Sequence, residues 1–373
     1  MIVLYAAYAR MPTQKAHGIQ VANMCAALGR IASVVLLVPQ RDNDLAEPLY
    51  KYYGLQESFA TVFVPAGPRK PQGRLMYRLG EFLFAAGVQA QLAHHAPDVV
   101  ITRSAWVAWR CAKRVPVFYE MHDVPRRYRF VQRFLLRHVR GYISTNAWKA
   151  HELKAGVPGA RVLVAPNGYR AEWFAQPQDK QELRAALGLP LNAYIVLYTG
   201  NVYGWKGVEV LARAAQLVPD MTFVFVGGTD EDAARFKRAH AEAKNIVQVA
   251  HQPHPRIPSY LRAADCLVLP NSASTEESRR STSPLKLFEY LASGTPVAVA
   301  DLPSVRELVD ESQALFFAPD NPSALAQALA LIRQDKEQAL ARAKAGAAHA
   351  QRYTWDARAQ AILDFISGFA TKG

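Results

Sequence analysis

Cysteine is scarce in this chain of 373 residues. The three that occur, Cys25, Cys111 and Cys266, stand far apart among apolar neighbours. An odd number of widely spaced cysteines argues against a disulfide framework and against a zinc cluster. We expect all three to be small buried side chains, and we expect no bound metal.

Long hydrophobic runs are also lacking. No stretch approaches the length of about 20 apolar residues that a membrane-spanning helix needs. The first residues, MIVLYAAYAR, show neither a basic leader nor a small-residue cleavage site, so they predict a first strand and not a signal peptide. We therefore expect a protein of the cytoplasm.

Acidic residues are fewer than basic ones, 31 against 44, which leaves a net charge of +13. Much of the excess lies between residues 69 and 140, and five arginines there are spaced three or four apart, as on one face of a helix. They are Arg126, Arg129, Arg133, Arg137 and Arg140. A solvated outer face and an anionic membrane surface remain alternative interpretations. Nucleic acid is disfavoured because no nucleic-acid-binding motif accompanies the charge.

Short apolar runs are plentiful and alternate with helical patterns. They include IVLYAA at 2–7, SVVLLV at 33–38, YIVLYTG at 194–200 and TFVFVGG at 222–228. Continuous apolar strands separated by helices predict buried parallel sheets. The length suits two domains, and the turn-rich sequence PNGYRAEWFAQPQDK predicts the seam between them near Pro166 to Pro190. We predict an α/β chain of two Rossmann-like, doubly wound domains, with the ligand cleft between them.

Two strand-to-helix junctions are candidate phosphate sites. The loop at 8–20 carries a single glycine, Gly18, and not a GxGxxG fingerprint. Gly18 either lets a phosphate or sugar approach the backbone or merely opens a helix. In the second half, Lys206 stands between the strand ending at Gly200 and the next helix, where its charge suits a diphosphate. A solvated lysine is the alternative.

The segment SPLKLFEYLASGTPV at 283–297 is the most informative. Ser283 and Pro284 precede a helix from about Leu285, which Gly294 ends. The free backbone NH groups at its start, at Leu285 and Lys286, are suited to a phosphate. Glu289 lies one turn further on the same face, where its carboxylate can accept from ribose hydroxyls. Taken alone, Glu289 is equally compatible with a surface charge.

Two weaker patterns suggest metal. Asp42-Asn43-Asp44 matches a DxD motif, but its polar surroundings favour a solvated loop. His251 and His254 lack further ligands nearby in the sequence.

The motifs in this order resemble the retaining family 4 of the GT-B glycosyltransferases. In the second half the resemblance rests on the Lys206 junction, DCLVLP at 265–270 and the segment at 283–297. In the first half it rests on KAHGIQVANMCAAL at 15–28, EMHDVP at 120–125 and APNGYR at 165–170, and RYTWDARAQAILDF at 352–365 is similar to the family's last helix. The resemblance implies an acceptor domain at 1–168, a donor domain at 169–352 and a helix at 353–373 that returns to the first domain.

The family's site residues carry over by position. The resemblance implies that Lys206 and the backbone at Leu285 and Lys286 bind the donor diphosphate and that Glu289 binds the ribose. It places Gly18 and Ser283 at the donor, gives His122 and Lys206 catalytic roles, and makes His17 and Glu120 acceptor contacts. Three positions depart from the family pattern: Ser281 replaces the first of two paired glutamates, Asn201 replaces a basic residue, and Arg170 replaces an aspartate. Lys286, Arg279 and Arg280 are the candidates for supplying the lost positive charge.

The implied reaction is front-face transfer with retention, from a UDP- or GDP-linked sugar and with neither metal nor another cofactor. We expect the product to be a polysaccharide or lipopolysaccharide, made from a glycan or lipid-linked acceptor by a peripheral protein on the cytoplasmic face of the inner membrane. Two alternatives remain. A non-hydrolysing UDP-sugar 2-epimerase would act on the donor alone, and an inactive partner subunit would bind donor without turnover.

Overall fold

The computed structural model describes residues 1–43, 45, 47–70, 72–122, 129–202 and 206–369, with only the backbone of 129, 130 and 132. The chain divides into two compact units. Unit 1 comprises Met1–Asn167 and Trp355–Gly373, and unit 2 comprises Gly168–Thr354.

Unit 1 is built on a parallel sheet of seven strands. Its strands are β1 (Ile2–Ala6), β2 (Ser33–Pro39), β3 (Ala60–Val64), β4 (Val99–Thr102), β5 (Val117–Met121), β6 (Gly141–Ser144) and β7 (Val162–Val164), in the spatial order β3-β2-β1-β4-β5-β6-β7. Its first helices are α1 (Ala16–Gly29), α2 (Leu49–Tyr53), α3 (Gly73–His95), α4 (Ala105–Cys111), α5 (Arg129–Leu136) and α6 (Ala147–Gly156).

Unit 2 is built on a parallel sheet of six strands. These are β8 (Tyr194–Thr199), β9 (Met221–Val226), β10 (Ile246–Val249), β11 (Cys266–Leu269), β12 (Val297–Ala300) and β13 (Leu315–Phe317), in the order β10-β9-β8-β11-β12-β13. Its helices are α7 (Lys180–Leu187), α8 (Val208–Leu217), α9 (Asp230–Ala239), α10 (Ile257–Ala263), α11 (Leu285–Ala292), α12 (Pro303–Arg306), α13 (Pro322–Gln334) and α14 (Lys336–Ala350). Helix α15 (Trp355–Ser367) belongs to unit 1, where it packs on α1.

The two sheets confirm the predicted fold class, because both are parallel and the apolar strands at their centres are buried. In each sheet the strand order reverses at one place, between β1 and β4 in unit 1 and between β8 and β11 in unit 2. Ligands of doubly wound sheets bind beyond the carboxyl ends of the strands at such a switch point. Cys25, Cys111 and Cys266 are buried and free, as expected from the sequence.

The predicted arginine stripe does not follow one helix. Helix α5 ends at Leu136, so Arg137 and Arg140 lie beyond it. The backbone NH of Arg140 donates to the carbonyl of Val117 in β5 (2.8 Å), which aligns the chain for β6 instead of another helical turn. Arg126 and the side chain of Arg129 lie outside the described residues.

Candidate functional site

The switch point of unit 2 is shaped by two glycines in left-handed backbone conformations. Gly200 follows β8 with φ of 122°, and Gly207 caps α8 with φ of 73°. A Cβ added at Gly207 would lie 1.7 Å from the carbonyl oxygen of Pro270, just beyond β11. Only glycine allows this approach, which holds the start of α8 against the end of β11.

Lys286 lies beside Gly200 although it belongs to α11. A Cβ at Gly200 would be 2.7 Å from the Lys286 Nζ, and the same Nζ lies 3.9 Å from the centroid of the Tyr198 ring. The ammonium is buried, and no described residue accepts a hydrogen bond from it. Burial, with Lys206 nearby, holds its pKa well below the usual value, and Glu289 opposes that shift. Of the three candidates for the charge missing at Asn201, Lys286 lies against Gly200, whereas Arg279 and Arg280 are exposed residues of the π-helical turn at 277–281.

Lys206 brings a second cation to the same place. Burial lowers its pKa to about 8, and Glu277 works in the opposite direction. Two depressed lysine pKa values at one switch point identify a partly desolvated cluster of positive charge. Such a cluster is suited to an anion.

Helix α11 begins at this cluster. Its N-cap residue is Pro284, whose side chain makes no capping hydrogen bond. Ser283, which the sequence predicts to open this helix, is buried and directly precedes that N-cap residue. A helix N-terminus has backbone donors and a partial positive charge, which adds to the attraction of Lys206 and Lys286 for an anion.

Glu289 lies in the second turn of α11 and is buried. Its Oε1 is 2.6 Å from Nε2 of His254, which belongs to a short 3-10 helix after β10. The indole of Trp173 meets the His254 ring edge-to-face at 4.7 Å, and the Arg170 guanidinium lies over Trp173. Sequence reasoning missed His254 and Trp173; the only local signal was the pair of histidines at 251 and 254.

The position of the absent glutamate lies in a π-helical turn, Glu277–Ser281. The Ser281 hydroxyl donates to the carbonyl of Glu277 (3.2 Å), so it is engaged within that turn. Two nearby polar atoms, Oγ of Ser278 and Oδ1 of Asn271, are buried without a hydrogen-bond partner in the part of the chain that the structure describes. Buried unsatisfied polar atoms and π-helical turns are both frequent at functional sites.

The switch point of unit 1 holds a buried polar network around Glu120. Tyr5 donates to its Oε2, while Gln20 and Arg358 each donate to its Oε1 at 2.7 Å. Arg103 donates in turn to Gln20 (2.8 Å). Burial raises the pKa of Glu120, but Arg358, His122 and Arg103 together outweigh burial and hold that pKa well below its usual value. The predicted acceptor contact is thus an ionised carboxylate whose oxygens are already occupied.

His122 lies next to this network. Its Nε2 is 3.2 Å from Oε1 of Glu120, without the angles of a hydrogen bond. Burial and Arg103 lower its pKa to about 3, although Glu120 opposes them. Burial and Arg103 also lower the pKa of His17, to about 4. Both histidines are therefore neutral at pH 7.

Gly18 lies inside α1, which begins at Ala16, and not before the helix as the sequence suggested. A Cβ there would come within 2.3 Å of the Tyr53 hydroxyl and 2.4 Å of the Thr13 side chain. Packing against these two residues is sufficient to require glycine at this position.

The described part of the DxD pattern is engaged in other contacts. Asp42 pairs with Arg69 (3.7 Å), and Asn43 donates to the carbonyl of Pro12 (2.8 Å); Asp44 lies outside the described residues. Within the described ranges, no three His, Cys, Asp or Glu residues are grouped as they would be around a metal ion.

Two family descriptions match the chain, one for each half. Residues 18–173 match Glycosyltransferase Family 4, and residues 193–335 match Glycosyl transferases group 1. A D-inositol 3-phosphate glycosyltransferase of Xylanimonas cellulosilytica is 27% identical over 95% of this chain and 91% of its own. A protein of the same name from Mycolicibacterium paratuberculosis is 30% identical, but the match spans 55% of this chain and 46% of that relative.

Solved structures share the whole fold at lower identity. Sucrose-phosphate synthase from Thermosynechococcus elongatus has a TM-score of 0.83 at 20% identity and covers 100% of both chains. The Anabaena protein Alr3699/HepE, solved in complex with UDP-glucose, has a TM-score of 0.76 at 19% identity and covers 99% of this chain and 100% of its own.

Proposed function

Because the chain is a glycosyltransferase of the GT-B fold, we propose that it transfers a sugar from a uridine diphosphate sugar, bound at the switch point of unit 2, to a glycan or lipid-linked acceptor. The proposal rests chiefly on the buried ammonium of Lys286 beside Gly200, which has no hydrogen-bond partner in the described part of the chain, with Lys206 and the start of α11 close by. An unpaired buried cation is unfavourable in the empty protein and becomes favourable when an anion neutralises it.

A diphosphate suits this site better than a single phosphate. Lys206 and Lys286 are two separate cations, and the α11 N-terminus adds backbone donors. Glu289 follows in the next turn, where its carboxylate can accept from the ribose hydroxyls of the same nucleotide. The uridine assignment is supported by Alr3699/HepE, whose complexes contain UDP-glucose and UDP.

We extend the proposal to the chemistry of transfer. Departure of the nucleoside diphosphate creates negative charge, and Lys206, Lys286 and the α11 N-terminus can stabilise that charge without a divalent cation. We expect retention of the anomeric configuration and full activity in EDTA. His122 and Glu120 of unit 1 stay predicted sugar and acceptor contacts.

The acceptor side of the proposal rests on unit 1. Arg133, Arg137 and Arg140 are exposed, as are Val131 and Phe134, and the Arg137 guanidinium lies 4.1 Å from the Phe134 ring centroid. Cationic and apolar side chains side by side are suited to an anionic lipid surface. Within the described residues, no helix combines the length and apolarity needed to cross a membrane. We expect binding to vesicles that contain anionic lipid, and loss of binding when Phe134 and Arg137 are replaced by serine.

A thermal-shift panel tests the donor site. UDP-, GDP- and CMP-sugars are compared on the wild type, on Lys206→Ala and on Glu289→Ala, with Lys344→Ala as an exposed control from α14. A ligand that binds only the folded state raises the unfolding temperature, and we expect the UDP-sugar to produce the largest shift. The shift should persist in the Lys344 variant and vanish in the other two. A shift that survives both site substitutions refutes the proposed site.

Transfer itself is read by following the donor and product anomeric protons by NMR, with and without EDTA. Donor consumption without acceptor, yielding an epimerised nucleotide sugar, would identify the 2-epimerase alternative. Binding of donor with no turnover in the presence of candidate acceptors would favour a partner subunit.

A further inference from the structure

His254 and Glu289 are brought together by the fold of unit 2, although 35 positions separate them. One belongs to the 3-10 helix that follows β10 and the other to α11. Their side chains are largely buried, with 14% and 11% of their surfaces exposed, and the two atoms in contact are 2.6 Å apart. This is a short hydrogen bond to a carboxylate, of the strong kind.

The contact engages only one carboxylate oxygen. His254 bonds to Oε1, and no described residue donates to Oε2 of Glu289. An ionised carboxylate can accept at both oxygens, so one oxygen remains for a ligand. The His254 ring is itself fixed, since Trp173 meets it edge-to-face and Arg170 covers Trp173.

We propose that His254 is a positioning residue of the donor site, which holds the Glu289 carboxylate by Oε1 so that Oε2 accepts from the ribose hydroxyls of the nucleotide. The proposal rests on the proposed function, because it needs a nucleotide in unit 2. A glutamate side chain loses rotamer freedom when it is ordered, and ordering it in advance removes that loss from the binding step.

A solely structural His-Glu pair, linking the 3-10 helix to α11, is the alternative. It leaves one observation unexplained, because Nδ1 of His254 is buried and lacks a hydrogen-bond partner among the residues described. A buried unsatisfied polar atom calls for an explanation other than folding, such as a place in a ligand site, although Nδ1 itself is not the ribose contact.

The test compares UDP with 2′-deoxy-UDP by calorimetry on the full chain. We expect the wild type to prefer UDP by roughly 10- to 100-fold, the value of one hydrogen bond to a charged group. Glu289→Gln should lose most of this preference. His254→Asn, whose amide reaches only as far as Nδ1, should lose it too, whereas His254→Gln, whose amide reaches the Nε2 position, should keep most of it. Donor KM should follow the same order while kcat changes little.

The results of these titrations distinguish failure of the proposed function from failure of the role inferred for His254. If the wild type binds neither nucleotide, the proposed function fails. If the wild type prefers UDP and His254→Asn keeps the full preference while weakening both ligands equally, His254 is structural and the inference is overturned. If the wild type binds UDP and 2′-deoxy-UDP equally, Glu289 does not recognise the ribose hydroxyl, and the inference is overturned. Should the Asn variant not fold, Trp173→Leu, which keeps His254 but frees its ring, must lower the preference, and an unchanged preference would overturn the inference.

Discussion

Two lysines give the proposed donor site its electrostatic character. Burial depresses the pKa of both, and the nearby Lys206 lowers the pKa of Lys286 further. This arrangement is unfavourable for the empty protein and favours an anionic ligand, which is the usual relation between stability and function at a binding site.

Replacing Lys286 by methionine should raise the stability of the ligand-free protein and lower its affinity for the donor. Methionine keeps the apolar stem but removes the buried ammonium. We therefore expect the unfolding free energy of the ligand-free protein to rise by about 1 kcal/mol. The gain is smaller than the full cost of burying the ammonium, because the contact between the ammonium and the Tyr198 ring is lost. Binding of the UDP-sugar should fall at least tenfold. Chemical denaturation and calorimetry measure the two effects, and Lys344→Met is the control. A destabilised variant that binds donor normally contradicts this expectation.

Lys206 should make both donor binding and stability depend on pH. Its pKa is about 8 in the folded protein against 10.5 ordinarily. Between these values the unfolded chain binds more protons, so unfolding free energy should rise with pH across this window, and this part of the rise should vanish in Lys206→Met. Affinity for a UDP-sugar, whose diphosphate has no ionisable proton in this range, should fall by up to about tenfold from pH 8 to pH 9 because the ammonium is lost. Calorimetric titrations at several pH values check this. An affinity that is flat in the wild type, or equally steep in Lys206→Met, contradicts it.

The residues of the unit 2 site differ in how far the sequence revealed them. Lys206, Lys286 and Glu289 stand at strand-to-helix junctions or in the first turns of a helix, which are local patterns. The role of His254 could not be found in this way, because its partner Glu289 is 35 positions away and the nearby His251 suggests only a metal site. Likewise, the environment of Glu120 depends on Arg358, 238 positions distant.

At the scale of secondary-structure elements, the residues just before α8 position the proposed donor site of unit 2. Gly207 packs against the carbonyl of Pro270, so the position of Lys206 depends on a close contact between the start of α8 and the end of β11. The pattern of strands and helices predicted this junction. The sequence did not predict the contact, since it joins residues more than 60 positions apart.

Gly207→Ala should therefore destabilise unit 2 far more than an ordinary left-handed glycine does. At Gly188, which caps α7 with φ of 66° and has no atom within 4 Å of an added Cβ, alanine should cost about 1–2 kcal/mol for backbone strain alone. At Gly207 the added contact with Pro270 should bring the loss to about 3 kcal/mol or more. Denaturant titrations of the two variants measure the difference. Equal losses would show that the turn can move without strain.

Helix α5 shows where a periodic pattern misleads. The arginine spacing predicted one continuous helix through Arg140, but the backbone of Arg140 already pairs with β5. Sequence periodicity carries no information about where a sheet needs its next strand to begin, and tertiary pairing overrides helical preference there.

For the whole molecule, the sequence was sufficient for the fold class. Buried parallel strands leave continuous apolar runs, and two series of such runs, separated by a turn-rich segment, predict two doubly wound sheets. The switch points between β1 and β4 and between β8 and β11 follow from strand order, which periodicity alone does not give. The long-range polar contacts at these switch points could be identified only from the structure.

Calorimetric titration of the wild type with UDP and with uridine is the most direct test that the unit 2 switch point is a nucleoside-diphosphate site. We expect UDP to bind at least about 100-fold more tightly, because two lysines and a helix N-terminus recognise the diphosphate. Lys206→Met and Lys286→Met should each remove at least about tenfold of this difference, and Lys344→Met should leave it intact. Equal binding of UDP and uridine, or a preference that survives both site substitutions, would contradict the assignment.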